Sequence, residues 1–412
     1  MNRRLLIYML FVMAALPVLA QERNLDFYLR QAAENSPLLK DYRNQVQSNL
    51  ADSEIILSGY RPQVTGTSVN TYPPVINGYG YDEAISNGGN FSTLVSVNKT
   101  LVSRKHLDAQ FGTIRLQNQG LENTAKITGQ DLKKNVTAQY ITSYGDMQQL
   151  DFHRDIYALL KKEEALLKEL TEKNVYRQTD YLAFLVTLQQ EGLLLKQLQI
   201  QFRNDYGTLN YLCGIIDTVA VQLPEPGIQL QSQPNIDNSA FFRQYQIDSL
   251  KLLNTRSLVD FSYRPKTSIY ADAGFSSTLA YTPYKNFGTS FGFTVTLPIY
   301  DGHQRKVQYS KLDIAERTRI GYKDFFTRQY EQQIAQLSQQ LKATEGLIAE
   351  INDQVRYSQA LIDANGKLLG TGDARIADYI LALSNYLNAK NLLTQNNITR
   401  LQIINQINYW NR

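Results

Sequence analysis

Between Pro74 and Pro224, and again from Pro298 to Arg412, the chain contains no proline. A proline inside a helix removes a backbone hydrogen bond and clashes with the preceding turn. Two proline-free spans, each well over a hundred residues, are what very long helices need. Most of the other prolines gather at residues 62–74, 224–234 and 265–298, so strands, turns and linkers are predicted there.

The two halves of the chain match each other. Asn35-Ser36 recurs as Asn238-Ser239, Tyr42 as Tyr245, Leu50 as Leu253, and Tyr60-Arg61-Pro62 as Tyr263-Arg264-Pro265, all 203 residues apart. Further on the offset is 198: Val97 and Val295, Leu101 and Ile299, Asp180-Tyr181 and Asp378-Tyr379, Ile200 and Ile398, Tyr211 and Tyr409. The change falls between Pro62 and Val97, which predicts a longer loop in the first copy, around Tyr72–Asn90. Constant spacing elsewhere marks an internal duplication. Physically, helices that pack side by side over a great length must turn at the same level.

Within the second half, Ile334, Leu337, Leu341, Ile348, Ile351, Val355 and Ile362 step by threes and fours, with Thr344 and Ser358 filling the gaps. A sustained 3.5-residue period is a coiled-coil seam. A single helix from Arg305 to Leu368 would be roughly 96 Å long at 1.5 Å per residue. A second helix is predicted from about Ile376 to near Tyr409. Ahead of them the period is two. Thr267, Ile269, Ala271, Ala273 and Phe275 alternate with Lys266, Ser268, Tyr270, Asp272 and Gly274; Phe291, Phe293, Val295, Leu297 and Ile299 alternate with Gly292, Thr294 and Thr296. These are strands with one apolar and one polar face. Their first-half partners are less clean, with Lys99 on the apolar side. Each half reads helix, strand, strand, very long helix, helix.

The expected organisation is therefore a signal peptide at residues 1–20, a first repeat at 21–220 with strands at about 60–72 and 91–102, a linker or equatorial segment at 221–237, and a second repeat at 238–412 with strands at about 263–277 and 288–300. The signal peptide is read from Asn2-Arg3-Arg4, the apolar run Leu5 to Leu16, and Pro17-Val18-Leu19-Ala20 before Gln21. Gln21 is not cysteine, so no lipid attachment is expected there. No later run is long and apolar enough for a membrane helix. A β-barrel needs none, because lipid-facing and lumen-facing residues alternate. Four strands per chain cannot close a barrel, and an open edge cannot face lipid, so self-assembly is expected. Tyr72, Tyr79, Tyr81, Tyr281 and Tyr284 suit one membrane interface and Tyr60 and Tyr263 the other; the same tyrosines also suit plain loop anchoring.

Little else in the sequence carries chemistry. The 42 basic and 38 acidic residues give no nucleic-acid footprint. Cys213 is the single cysteine; it precedes Gly214 at a helix end and is expected to pack. His106, His153 and His303 are not at metal-ligand spacing, and His106 and His303 read as polar surface residues near the barrel-to-helix junction. Glu163-Glu164 and Lys161-Lys162 read as a solvated helix face. With no phosphate loop, nucleophile elbow or cysteine-pair motif, no enzyme and no cofactor is expected.

Leu297-Pro298-Ile299-Tyr300-Asp301-Gly302-His303 resembles the strand-to-helix motif of the TolC-like outer-membrane efflux family. Tyr60-Arg61-Pro62 and Tyr263-Arg264-Pro265 resemble its helix-to-strand transitions, and Asn35-Ser36-Pro37 the usual start of its first helix. Gly372 through Asp378-Tyr379-Ile380, with Asn174 through Asp180-Tyr181-Leu182 in the first half, resembles its periplasmic turns. The likeness covers nearly the whole chain after residue 20. It implies an α+β membrane protein: a homotrimer in which each protomer gives four strands to a twelve-stranded β-barrel, continuous with a coiled-coil helical tunnel. The trimer would sit in the outer-membrane lipid of a Gram-negative bacterium and extend into the periplasm. There it would meet a periplasmic adaptor and an inner-membrane pump, as the exit duct of a tripartite efflux or type I secretion system. A coiled-coil scaffold or adaptor without a pore is the other reading. Two matched halves, each with a strand pair, favour the duct.

The resemblance also implies site residues. Asn174, Gly372 and Arg375 would form the tips that meet the adaptor. Pro62, Pro265, Pro298 and Gly302 would mark the barrel–helix junction. Asp378 matches an acidic ring at the closed end of the family's tunnel, either as a pore-lining carboxylate or as a solvated helical one. The family's second acidic position is Leu381 here, which weakens cation selectivity or supplies an apolar constriction. Asp180 is expected to cap or brace its helix. Both aspartates are expected too far past their turns for simple N-capping. The family's tip arginine position is Ala374 here, with Arg375 one residue later. The family's segment after the final helix is missing, so any equatorial collar is expected to be small and built from residues about 214–240.

Overall fold

The computed structural model describes residues 23–80, 89–231, 239–278 and 283–411. The expected signal peptide, Tyr81, Tyr281 and residues 232–237 of the linker lie outside the described residues. In chain order the elements are α1 (Leu25–Asn35), α2 (Pro37–Gly59), β1 (Gln63–Thr71), β2 (Asn90–Leu101), α3 (Arg104–Glu172), α4 (Gln178–Leu212), α5 (Ala240–Ser262), β3 (Lys266–Ser277), β4 (Phe287–Thr296), α6 (Gln304–Thr371) and α7 (Ile376–Trp410). The long helices α3 and α6 have 69 and 68 residues, and α4 and α7 have 35 each. No described helix is long and apolar enough to cross a membrane.

The chain divides into two compact units. The first comprises Lys40–Lys126 and Ala240–Thr327 and carries the strands. They form one antiparallel sheet in the order β1-β2-β3-β4, so the two halves meet at the β2–β3 pairing, with Val95 opposite Ala273 and Val97 opposite Ala271. The register puts Val64, Val95, Val97, Ile269, Ala271, Phe291, Phe293 and Val295 on one face. That face is open to solvent in the single chain: Phe291 is 90% and Phe293 74% exposed. Lys99 lies on it too, opposite Ile269.

Strand boundaries differ from expectation where the backbone forbids pairing. β1 and β3 begin at Gln63 and Lys266, after Pro62 and Pro265, not at Tyr60 and Tyr263, which belong to the turns that end α2 and α5. β4 ends at Thr296, four residues short of the expected 300. Proline at 298 has no N–H for a ladder. β2, with Thr100 at the equivalent position, continues to Leu101. Helices in this unit are tied by amides: Asn254 Nδ2 donates to Ala109 O at 3.0 Å, and Asn123 Nδ2 to Ala240 O at 2.9 Å.

The second unit comprises, among the described residues, 23–39, 127–231, Ser239 and 328–411 and is mainly helical. The predicted seam is its buried stripe: Ile334, Leu337, Leu341, Ile351, Ser358 and Ile362 are all buried. Leu337 and Leu341 pack with Ile403, Ile404 and Ile407 of α7. Ile362 and Leu369 join Leu160, Phe184, Leu188, Ile376 and Tyr379 in another cluster. A third holds Tyr28, Tyr140, Phe202, Tyr206, Leu209 and Cys213. Cys213 does pack; burial pushes its thiol up to about 12. Residues 215–231 carry no helix or strand. They are fixed by Leu223, which is buried, and by bonds from Tyr140 Oη to Pro224 O and Asn408 Nδ2 to Gln229 O, both 2.7 Å.

One expectation about the first helix fails. Asn35-Ser36-Pro37 is not its start but a break. α1 already begins at Leu25, where Asn24 Oδ1 accepts from Phe27 N. Ser36 is extended, as the residue before a proline prefers, and Pro37 opens α2.

Candidate functional site: two matched helical turns

The turns after α3 and α6, both in the helical unit, are built alike. Asn174 and Gly372 both have positive φ, 59° and 81°, the left-handed conformation that Asn and Gly tolerate best. In each case a backbone N–H reaches back five residues: Val175 N to Leu170 O and Asp373 N to Leu368 O, both 2.9 Å. This motif satisfies carbonyls orphaned at a helix end. At Gly372 a Cβ would also lie 2.8 Å from Val175 Cγ1, so the second turn needs glycine for space as well as for φ.

The helices do not restart at the turns. α4 begins at Gln178 with Arg177 as N-cap, and α7 at Ile376 with Arg375 as N-cap. Asp180 and Asp378 are therefore each the third residue of a helix. Neither is an N-cap, as expected, and three residues, 175–177 and 373–375, separate each turn from its helix. The cap reading of Asp180 is the one that fails: the N-cap is Arg177, and no side-chain cap bond forms. What remains for both carboxylates is the favourable field of a helix N-terminus.

The two copies then diverge. Arg375 donates from Nε and Nη2 to the two carboxylate oxygens of Asp378, 2.9 Å each, and this pairing raises its pKa. No such pair joins Arg177 and Asp180 among the described residues. Leu381 is exposed, one helical turn beyond Asp378. Tyr379 is buried and its equivalent Tyr181 instead donates to Glu164 Oε1 at 2.9 Å. Tyr176 links the turns: its hydroxyl lies 2.9 Å from both Leu369 O and Ala374 O, and its one proton serves one carbonyl at a time. The sequence signal for Tyr176 is a mismatch in the repeat, where it aligns with Ala374.

At the sheet–helix junction, in the other unit, Pro62 and Pro265 precede β1 and β3, and Pro298 follows β4. Gly302 and His303 are consecutive left-handed residues, φ 61° and 68°. Asp301 accepts from the backbone N–H of both His303 and Arg305 at 2.9 Å, which opens α6 and holds its carboxyl below the usual range. The equivalent Ser103 Oγ accepts from His106 N at 3.3 Å. His106 is not a plain surface residue. It is partly buried and stacks on Phe261, 5.1 Å between ring centroids.

Two polar clusters in the helical core were not anticipated. His153 Nδ1 donates to Glu191 Oε1 at 2.5 Å, and its Nε2 lies 3.3 Å from Asn391 Oδ1. Asp146, also buried, accepts from Gln201 Nε2 at 2.8 Å, while its Oδ2 has no partner. Burial, and then Asp205, push its carboxyl up to about 7. Among the described residues no three His, Cys, Asp or Glu side chains gather as a metal site would need.

No protein-family model matches the sequence, and no curated protein matches it either. Solved structures do match. The outer membrane protein VceC from Vibrio cholerae superposes with a TM-score of 0.74 at 12% identity, covering 94% of this chain and 96% of that one. CusC, whose structures describe transmembrane channel formation, gives 0.76 at 12%, covering 95% and 92%. The CmeC outer membrane channel of Campylobacter jejuni gives 0.73 at 14%, covering 94% and 85%. Near-complete mutual coverage at such low identity means that architecture, not sequence, is what is shared, and the chain has the TolC-like outer-membrane channel fold.

Proposed function

We propose that the protein is the outer-membrane exit duct of a tripartite export system, a homotrimer that conducts substrate passively while an inner-membrane pump supplies the energy. The observation that carries this reading is the sheet. β1 and β4 each leave one edge unpaired, and the face bearing Phe291, Phe293 and Val295 is apolar and open. Further copies of the chain would satisfy the edges and lipid would cover the face. A scaffold without a pore gives no role to that face.

In this reading the turns at Asn174 and Gly372, with Arg375, face the periplasmic adaptor, and Asp378 and Leu381 line the closed end of the tunnel. Secretion of proteins by a type I system would use the same duct. The test is fractionation followed by mass measurement. The protein should sediment with outer membranes, require detergent, and run as a trimer by light scattering. A detergent-free monodisperse monomer overturns the proposal.

A further inference from the structure

The helix-side end of the sheet is strongly cationic. The register sets Gln63 beside Asn98, Leu101 beside Thr267 and Lys266 beside Thr296, so residues 60–66, 98–107, 263–266 and 297–306 share that end. They contain Arg61, Lys99, Arg104, Lys105, Arg264 and Lys266 in the first three stretches, with no acidic residue. The fourth contains Arg305 and Lys306 against Asp301 alone, and Asp301 is already engaged by two backbone N–H groups. Asp260 faces Arg305 at 2.7 Å and also bonds the Tyr309 hydroxyl. Among the described residues Arg61, Lys99, Arg104, Lys105 and Lys306 are exposed and enter no ion pair. In sequence, the segments 72–89 and 278–286, which join β1 to β2 and β3 to β4, hold only Asp82, Glu83 and Lys285 as charges. The cations are thus concentrated at one end.

The same end has a receptacle. An open cleft of about 720 Å³ is lined by Tyr263, Ile299, His303, Arg305, Lys306 and Tyr309, among others. Ile299 is 93% and the adjacent Tyr300 80% exposed, so apolar surface adjoins the cationic group. Cations, tyrosines and exposed apolar side chains in one band match the layered chemistry of a lipid headgroup over its acyl chains.

We infer that this end of the sheet binds the phosphate headgroups of anionic phospholipid, with Lys306 at the cleft and Arg104 and Lys105 beside the end of β2 as the principal cations. The inference rests on the proposed membrane barrel and specifies which lipid its helix-side rim selects. Arg305 is committed to Asp260 and positions the cleft wall. Attraction of this kind is screened by salt, so the preference for anionic lipid should weaken as ionic strength rises.

The test uses the full-length assembly, reconstituted from detergent into bilayers of phosphatidylcholine mixed with phosphatidylglycerol, then re-extracted and weighed by native mass spectrometry. Phosphatidylglycerol should be retained several-fold above its share of the mixture. The triple variant R104Q/K105Q/K306Q should lose that enrichment while keeping its oligomeric mass. K311Q, farther along α6, serves as a charge control and should keep the enrichment. Inorganic phosphate is the competing source of the same chemistry. If it displaces phosphatidylglycerol at equal concentration, the site is for a free anion and the lipid inference falls. Equal retention of both lipids by the wild type, or unchanged enrichment in the triple variant, also overturns it. Failure of the wild type to enter bilayers at all would instead refute the barrel reading, and with it this one.

Discussion

Arg375 holds both carboxylate oxygens of Asp378 at 2.9 Å, so the acid proposed for the closed end of the tunnel carries its own counterion. Both groups are well exposed, and such a pair adds little stability. Its consequence is electrostatic. In a trimer the pairs would recur three times around the constriction, and wild-type selectivity should be weak. R375A unmasks the carboxylates and should shift the planar-bilayer reversal potential towards cations. D378A leaves three bare guanidinium groups and should shift it towards anions. L381A should raise conductance without changing sign. If neither charge variant moves the reversal potential, these residues do not line the pore.

Two glycines with positive φ should differ in their tolerance of alanine. Gly302 (φ 61°) has open space where a Cβ would go, whereas at Gly372 (φ 81°) the Cβ would meet Val175 Cγ1 at 2.8 Å. Backbone strain alone costs about 1–2 kcal/mol. G302A should therefore lower stability by about that much, and G372A by more, because Val175 must also move. Thermal unfolding in detergent ranks them; equal shifts would show that the contact at Gly372 is easily relieved.

Much of this architecture was legible because its determinants are local or periodic. The seam from Ile334 to Ile362 sets a buried stripe, and Asn174 and Gly372 stop helices through their own φ preferences, whereas the strands stop short of the expected bounds at Pro62, Pro265 and Pro298. The misreadings were also local. Asn35-Ser36-Pro37 interrupts a helix instead of starting one, since proline opens a helix equally well after a break. The helix starts at Gln178 and Ile376 are not legible, because the three residues after each turn have no sequence signature. Contacts across helices were not legible. Glu191 is 38 residues from His153, and Asn391 is 238. The repeat did hold a clue: at the 198-residue offset His153 becomes Ile351 and Glu191 becomes Ala389, both buried.

Asp146 should make the helical unit lose stability as pH rises. Burial and Asp205 raise its carboxyl from 3.8 to about 7. The folded chain therefore holds a proton that the unfolded chain has released. Stability from this group is complete below about pH 4 and is lost as pH rises through about 7. D146N, which mimics the protonated acid without titrating, should flatten that fall. Unfolding of both proteins across this range measures it. A slope unchanged in D146N would show that some other group titrates.

His153 and Glu191 form a pair with side chains only 4% and 7% exposed, and the repeat supplies its apolar substitute. Removing one partner of a buried pair strands the other in a poor dielectric, at a cost of about 3–5 kcal/mol. H153I, which leaves Glu191 facing an apolar side chain, should approach that loss. E191A should do the same by stranding the imidazole, with only Asn391 left near its other nitrogen. The double variant H153I/E191A removes both polar groups and installs the residues that the second repeat buries at Ile351 and Ala389. It should recover most of the loss, because apolar replacement of a whole buried pair is often neutral. The match is not perfect, since the neighbours of Ile351 are not those of His153, so a residual deficit from a small cavity is expected. A double-mutant cycle by chemical unfolding reads the coupling directly. Additive losses in the double variant would mean that the two side chains act independently, and that the short contact between them contributes nothing to holding α3 against α4.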